Sequence, residues 1–95
     1  MTEEQPVYEW DDAKSAETRR RRGFGFDIKR GFQWEFGLCI DIQYVEGEER
    51  EKWIGPIDER LYAVVTTLKG RTVRIISLRR AEQTEIALWR REVRP

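Results

Sequence analysis

Histidine is absent from this 95-residue chain, and cysteine occurs only once. Without histidine the chain lacks the usual general base of catalysis at neutral pH, and a single thiol is too few for an ordinary zinc site. Cys39 has no partner for an internal disulfide, so we expect it to be a buried, reduced thiol in a cytoplasmic protein. We therefore predict a protein that uses no metal ion and no other cofactor.

Long apolar runs are also missing, as is a charged segment followed by an apolar one at the start of the chain. No stretch approaches the length of a membrane span, so we expect no membrane association. Glycine-rich phosphate loops, internal repeats and a serine–histidine–aspartate arrangement are absent too. The length suits one domain, over residues 1–95, with a small core that depends on its aromatic side chains.

The formal net charge of zero conceals a segregation of charges along the chain. Residues 14–30 carry seven basic and two acidic side chains, and residues 69–80 carry five basic ones and no acid. Residues 35–60 carry eight acids against three bases. The two basic segments could meet as one positive surface for nucleic-acid phosphate or an acidic partner. Alternatively, acidic and basic segments neutralise each other.

The strongest structural signal is a β-hairpin over residues 61–81, in which two runs rich in β-branched residues flank Lys69 and Gly70. Because Lys69 disfavours a positive φ, we expect a loop longer than two residues with Gly70 in the left-handed position. Regular alternation in the second strand places on one face Val73, Ile75, Ser77 and Arg79. It places on the other face Thr72, Arg74, Ile76 and Leu78. Arg74 and Arg79 would then point in opposite directions.

The N-terminal part predicts a short edge strand over residues 7–10 and a helix over residues 12–22, which Asp11 caps and Gly23 ends. The four arginines at the end of this helix suit its negative dipole, and they could instead bind nucleic acid. A second short helix over residues 27–32 follows.

Beyond these helices the pattern predicts strands over residues 38–45 and 49–57, the hairpin, and a helix over residues 81–93. Ala13 and Ala16 are the expected inward-facing residues of the first helix. The fold class is therefore α+β: an N-terminal helix or helix pair, a twisted four-stranded antiparallel sheet with a possible short edge strand, and a C-terminal helix. We expect the helices on one face of the sheet and a concave, open surface on the other.

Six stretches, taken in order, resemble the BrnT family of bacterial toxins, within the RelE/ParE-like superfamily. They are Glu9–Lys14 (EWDDAK), Gly23 with Phe26, Gly47–Arg50, Gly55–Ile57, Arg60–Val65 and Arg74–Ala81 (RIISLRRA). The resemblance implies a RelE-like fold and a type II toxin that arrests translation by cleaving RNA. It also implies a ribbon-helix-helix, BrnA-like antitoxin that masks the toxin and binds the operator DNA of their shared operon. The toxin would contact that DNA only through the antitoxin.

Two positions depart from the family pattern. Arg22 stands where the family usually carries a histidine, and Arg19 where it commonly carries a leucine. The missing histidine keeps open a second function, that of a catalytically degenerate module that binds RNA or protein.

Metal-free RNA cleavage requires a base for the 2′-hydroxyl and donors for the charge that builds on the phosphate. The candidate catalytic residues are Arg79, Arg74, Glu48, Glu49 and Tyr62. The candidate RNA-binding residues are Lys14, Lys69, Arg71, Ser77 and Arg80. Arg74 and Arg79 could instead only solvate the sheet. Trp53 or Tyr62 could stack on an unpaired base, or pack in the core.

Overall fold

The computed structural model of the protein describes residues 7–93, apart from the side chains at positions 28–30. Its elements in chain order are strand β1 Val7–Trp10, helix α1 Asp12–Arg22, two 3-10 helices Phe26–Gly31 and Trp34–Phe36, strands β2 Leu38–Val45, β3 Glu48–Ile57, β4 Arg60–Lys69 and β5 Thr72–Arg80, and helix α2 Gln83–Glu92. The α+β class is confirmed. Neither helix of this part of the chain is long and apolar enough to cross a membrane.

Helix α1 has the predicted bounds because both of its ends carry strong local signals. Asp11 accepts a hydrogen bond from the backbone N–H of Lys14 at 3.0 Å, which satisfies one of the free donors of the first turn. Gly23 ends the helix with φ of 85°, a left-handed conformation that costs glycine little. The predicted second helix is present as the 3-10 helix Phe26–Gly31.

The buried face of α1 differs from the prediction. Ala13 and Ala16 are exposed, whereas Ser15 and Thr18 are buried. The Ser15 hydroxyl accepts a hydrogen bond from the backbone N–H of Phe26 at 2.9 Å, so this polar side chain anchors the loop that follows the helix. The helix is therefore fixed by a side-chain contact that apolar patterning cannot indicate.

The sheet has five strands in the order β1-β5-β4-β3-β2 and is mixed. The pairs β2–β3, β3–β4 and β4–β5 are antiparallel, as predicted. The expected edge strand β1 exists and pairs in parallel with β5, with Glu9 opposite Arg74. The prediction of a four-stranded, wholly antiparallel sheet is therefore corrected to a mixed sheet of five strands.

The turn between β4 and β5 is shorter than predicted. Lys69 pairs with Thr72, which leaves Gly70 and Arg71 as a two-residue loop. Gly70 takes φ of 60° at the first loop position, so the glycine, and not Lys69, supplies the positive φ. The prediction that Gly70 is left-handed was correct, and the prediction of a longer loop was wrong.

The two faces of the sheet bury separate cores. One face, here the α1 face, packs Phe24, Phe26 and Phe32 against strand residues that include Tyr62 and Leu78. The other face, here the α2 face, is built around Trp89 of α2, which packs near Ile54 and Ala63. The indole N–H of Trp89 donates to the carbonyl of Phe36 at 2.6 Å, which fixes α2 over the α2 face. The helices thus lie on opposite faces, contrary to the expectation that both cover one face.

A β-bulge at Ile76 changes which side chains of β5 share a face. Ser77 pairs with Val65 and Ile75 pairs with Thr66, so Ile76 is one extra residue in β5. Side chains of directly paired residues lie on the same face of the sheet. On β4 the alternate residues Thr67, Val65 and Ala63 lie on the α2 face, and their partners on β5 are Arg74, Ser77 and Arg79. The prediction that Arg74 and Arg79 point to opposite faces is therefore wrong, because the extra residue resets the alternation between them.

Candidate functional site

The C-terminal end of β5 borders a cleft of about 470 Å³ that is lined by Arg22, Phe24, Arg79 and Arg80, and we call it the arginine cleft. Arg22 comes from the end of α1, and Arg79 and Arg80 are successive residues of β5. The two basic segments of the sequence therefore meet at this point. Three arginine side chains close together form a surface suited to phosphate.

Arg22 and Phe24 are held in place by contacts with the sheet. The Nη1 of Arg22 donates to the backbone carbonyl of Leu78, which ties the end of α1 to β5. The Phe24 ring meets Tyr62 edge to face, with centroids 5.3 Å apart. Tyr62 is only 7% exposed and stands directly across from Arg80 in the β4–β5 register. Among the predicted bases, Tyr62 thus packs behind Phe24, and it lines a neighbouring cleft with Ile57, Asp58, Glu59 and Arg60.

Arg79 is fixed by a buried carboxylate. Its Nη1 and Nη2 donate to the two oxygens of Glu85 at 2.8 and 2.9 Å, a bidentate pair. Lys52 places its Nζ 2.8 Å from Oε2 of Glu85, and the backbone N–H of Glu82 donates to Oε1 at 2.8 Å. Glu85 therefore joins β3, β5 and the first turn of α2 through one carboxyl group.

These contacts set the ionisation of Glu85. The hydrogen bonds from Arg79 lower the pKa of the Glu85 carboxyl to about 2, burial opposes them, and the Glu82 N–H and Lys52 lower it further. Glu85 is consequently a carboxylate at neutral pH and neutralises part of the charge on Arg79 and Lys52. The backbone carbonyl of Arg80 accepts a hydrogen bond from Nη1 of Arg79, whereas the Arg80 guanidinium makes no hydrogen bond or ion pair within the described part of the chain. The cleft therefore keeps an excess of positive charge.

A second cleft, of about 310 Å³, lies on the part of the α2 face that α2 leaves open. Its polar wall includes Arg50, Lys52 and Ser77, together with Asp41. The Nε of Arg50 is buried and has no hydrogen-bond partner, and the nearest carboxylate contact of this side chain is Glu48 at 3.9 Å. Lys52 also contacts Glu85, so this surface is continuous with the network that holds Arg79. The expected face without a helix is therefore absent, because α2 covers one end of the α2 face and leaves only the part with this cleft open.

The other predicted site residues lie farther from the arginine cleft. Glu48, Glu49 and Lys69 line a separate cleft of about 430 Å³ at the far end of β4. Arg74 lies on the α2 face and pairs with Glu9 at 3.1 Å. The predicted catalytic residues thus form two groups at opposite ends of the sheet. Arg79 and Tyr62 lie at one end, and Glu48, Glu49 and Arg74 lie at the other.

The remaining predicted RNA contacts are also dispersed. Arg71 lies in the β4–β5 turn, beyond the end of the paired strands, and Ser77 lies on the open part of the α2 face. Lys14 lies in the first turn of α1, eight residues before Arg22, and therefore about 12 Å away along the helix axis. Of the five residues predicted to bind RNA, Arg80 is the one that lines the arginine cleft.

Glu85 and Lys52 are functional candidates that the sequence did not indicate. An acid in the first turn of a helix ordinarily serves the helix dipole, and a lysine next to an acid on a strand resembles solvated surface. Only the tertiary pairing brings them to Arg79. Within residues 7–93, no cluster of three or more cysteine, aspartate or glutamate side chains is placed to hold a metal ion.

A comparison with protein families gives a match over most of the chain. Residues 10–85 match the family described as "Ribonuclease toxin, BrnT, of type II toxin-antitoxin system". The matched part includes Arg22, Phe24, Arg79, Arg80 and Glu85, and so contains the whole arginine cleft and its supporting carboxylate. No curated protein and no solved structure matches the chain, so the RelE-like label for the fold stays a prediction.

Proposed function

This chain belongs to the BrnT family of type II toxin–antitoxin ribonuclease toxins, and on that premise we propose that it cleaves RNA at the arginine cleft, without a metal ion, and thereby arrests translation. The observation that carries the proposal is the meeting of Arg22, Arg79 and Arg80 around Phe24. These guanidiniums come from two elements that are far apart in the sequence. Their convergence supports a phosphate-binding role over simple solvation of the sheet.

The proposed chemistry is attack of a ribose 2′-oxygen on the adjacent phosphorus, with cleavage of the bond to the 5′-oxygen of the next nucleotide. Negative charge builds on the non-bridging phosphate oxygens during this step, and fixed guanidinium donors stabilise it. The bidentate pair with Glu85 restrains Arg79. The Arg80 guanidinium has no such restraint and can donate two hydrogen bonds to one phosphate.

Two protons must also move, one from the 2′-hydroxyl and one to the leaving 5′-oxygen. No carboxylate lines the arginine cleft, and Glu85 is committed to its ion pairs. We assign to the Tyr62 hydroxyl the donation of a proton to the leaving 5′-oxygen, because Tyr62 stands across from Arg80 and contacts Phe24. The proton of the 2′-hydroxyl passes to solvent water. Glu48 and Glu49 line a cleft with Leu68 and Lys69, at the end of β4 opposite to Tyr62, and this distance argues against their taking part.

Membership of a type II toxin–antitoxin family implies an RNA target and an antitoxin partner. We propose that the antitoxin is a ribbon-helix-helix, BrnA-like protein that neutralises the toxin in the cytoplasm and binds operator DNA. The positive cleft fits RNA, since neutralised phosphates release counterions and so favour binding.

A second candidate function is that of a module that binds RNA without cleaving it. The observation that favours it is Arg22 at the position where the family usually has histidine, in a chain that has no histidine at all. An arginine donates hydrogen bonds to phosphate but does not serve as a base at neutral pH. Binding would then survive while cleavage is lost.

One experiment separates the two functions. The protein is expressed alone and with the antitoxin of its operon, and the purified protein is incubated with RNA in EDTA. We expect growth arrest that the antitoxin relieves, and cleavage that leaves 2′,3′-cyclic phosphate ends. Arg80→Ala should abolish both, and Arg91→Ala, which removes an exposed arginine outside the cleft, should change neither. RNA binding without cleavage by the wild-type protein would establish the binding module instead.

A further inference from the structure

The α1 face has an apolar groove at the end that α1 does not cover. The groove encloses about 220 Å³, and its lining includes Tyr8, Trp34, Trp53, Leu68 and Val73. Val73 pairs with both Tyr8 and Leu68 across the sheet, so the floor of the groove is one continuous row on three strands. The row lies six residues along β4 from Tyr62, about 20 Å from the arginine cleft.

Large apolar side chains remain in solvent around this groove. Leu68 is 67% exposed, and on the edge strand β2 Tyr44 and Ile42 are 73% and 52% exposed. Ile42 and Tyr44 pair with Glu51 and Glu49, which places them on the α1 face beside the groove. An apolar patch of this kind, next to an unprotected edge strand, is typical of a surface that binds another protein.

The rim of the groove is acidic. Glu51 lines the groove. Glu51 and Leu68 also line an adjoining cleft, whose other lining residues include Glu48 and Glu49. Lys69 is the one basic residue in that cleft. Glu48 also contacts Arg50 at 3.9 Å, so Glu49 and Glu51 are the carboxylates that outnumber Lys69. The rim therefore repels phosphate and attracts basic side chains. The groove therefore suits a protein segment that combines apolar and basic residues, and does not suit RNA.

We propose that this groove is a docking site for an apolar and basic segment of the antitoxin. The family match implies that such a protein partner exists, and the charge of the rim selects the chemistry of the segment that binds. The proposal rests on family membership and not on the ribonuclease activity. It also predicts that the antitoxin holds the toxin at a surface distinct from the RNA-binding cleft.

The test uses the full-length protein and the antitoxin of its operon, with affinity measured by isothermal titration calorimetry. Leu68→Ser removes an exposed apolar anchor and should weaken antitoxin binding about tenfold or more. Val7→Ser is the matched control, because Val7 is 60% exposed but stands opposite Thr72, outside the groove. It should leave the affinity unchanged. RNA cleavage should be the same in both variants, which separates this proposal from the assignment of the ribonuclease site.

A third variant tests the charge of the rim. Glu51→Gln should weaken antitoxin binding and reduce its dependence on salt concentration, because one attractive carboxylate is lost. Wild-type affinity in both the Leu68 and the Glu51 variants would overturn the proposal. A second outcome would also overturn it: the free protein forms a dimer, and Leu68→Ser dissociates this dimer but leaves the antitoxin affinity unchanged. In that case a second copy of the chain, and not the antitoxin, would occupy the groove.

Discussion

Replacing Glu85 with glutamine tests whether one buried carboxylate holds the arginine cleft together. The pKa of this carboxyl falls from the ordinary value of 4.5 to about 2 in the folded protein. Each unit of difference corresponds to about 1.4 kcal/mol, so the ionised form stabilises the fold by roughly 3 kcal/mol. Lys52 and Arg79 keep 30% and 28% of their side-chain surface in water and can rehydrate after the substitution. We therefore expect a net loss of about 1–3 kcal/mol at pH 7.

The dependence on pH has a definite sign. Because the folded protein binds this proton more weakly than the unfolded chain, the stabilisation is complete above about pH 4.5 and disappears as the pH falls towards 2. The wild-type protein should therefore lose its advantage over Glu85→Gln across that interval. At the acidic end Glu85 of the wild-type protein is only partly ionised, so the two proteins approach the same charge at position 85.

Urea unfolding followed by circular dichroism, at a series of pH values from 7 to 2, measures the difference directly. Thermal unfolding detects the same difference, because for a domain of this size a loss of 1 kcal/mol in the free energy of unfolding lowers the melting temperature by about 4–8 °C. Glu82→Gln is the matched control, because Glu82 lies 3.9 Å from the same Arg79 but is 69% exposed. It should change stability little. A Glu85→Gln deficit that stays constant from pH 7 to pH 2, or is absent at pH 7, would refute the reasoning.

Three further substitutions test the site and the packing. Arg79→Ala should lower RNA cleavage and also cost about 1–3 kcal/mol of stability, because Glu85 is left buried without its bidentate partner. Arg74→Ala, on the same face, should cost less than about 1 kcal/mol, since its ion pair is partly exposed, and equal melting temperatures for these two variants would contradict this account. Gly55→Ala should destabilise the protein by about 1–3 kcal/mol, because an added Cβ would lie 2.5 Å from the Phe32 ring. Thermal unfolding measures the effect, and a variant as stable as the wild type would show that Phe32 can move aside.

Features of the fold that depend on local signals were predictable from the sequence. Asp11 and Gly23 are strong capping residues, and they fix both ends of α1. Gly70 fixes the hairpin turn, although pairing of Lys69 with Thr72 makes the loop shorter than expected. Each of these features depends on neighbours within a few positions, so composition and spacing are sufficient to indicate it.

Features that depend on distant contacts were not predictable in this way. Strand β1 pairs in parallel with β5 across more than sixty residues, and no local pattern selects that partner. The Trp89 indole bonds to the Phe36 carbonyl and so places α2 on the face opposite α1. Glu85 acquires its role only once Arg79 and Lys52 are beside it. The candidate site is therefore partly visible in the sequence through its arginines, and its support is not.

The bulge at Ile76 shows why the arrangement of the site was missed although the sequence contains a signal for it. Ile75 and Leu78 are both buried in the core of the α1 face, yet they are three positions apart. A regular strand brings only even spacings to one face, so both residues can be buried together only if one extra residue lies between them. That extra residue also turns Ser77 and Arg79 to the α2 face, where Glu85 holds Arg79. Core packing thus determines the direction in which Arg79 points, and the odd apolar spacing is the feature from which the bulge could have been inferred.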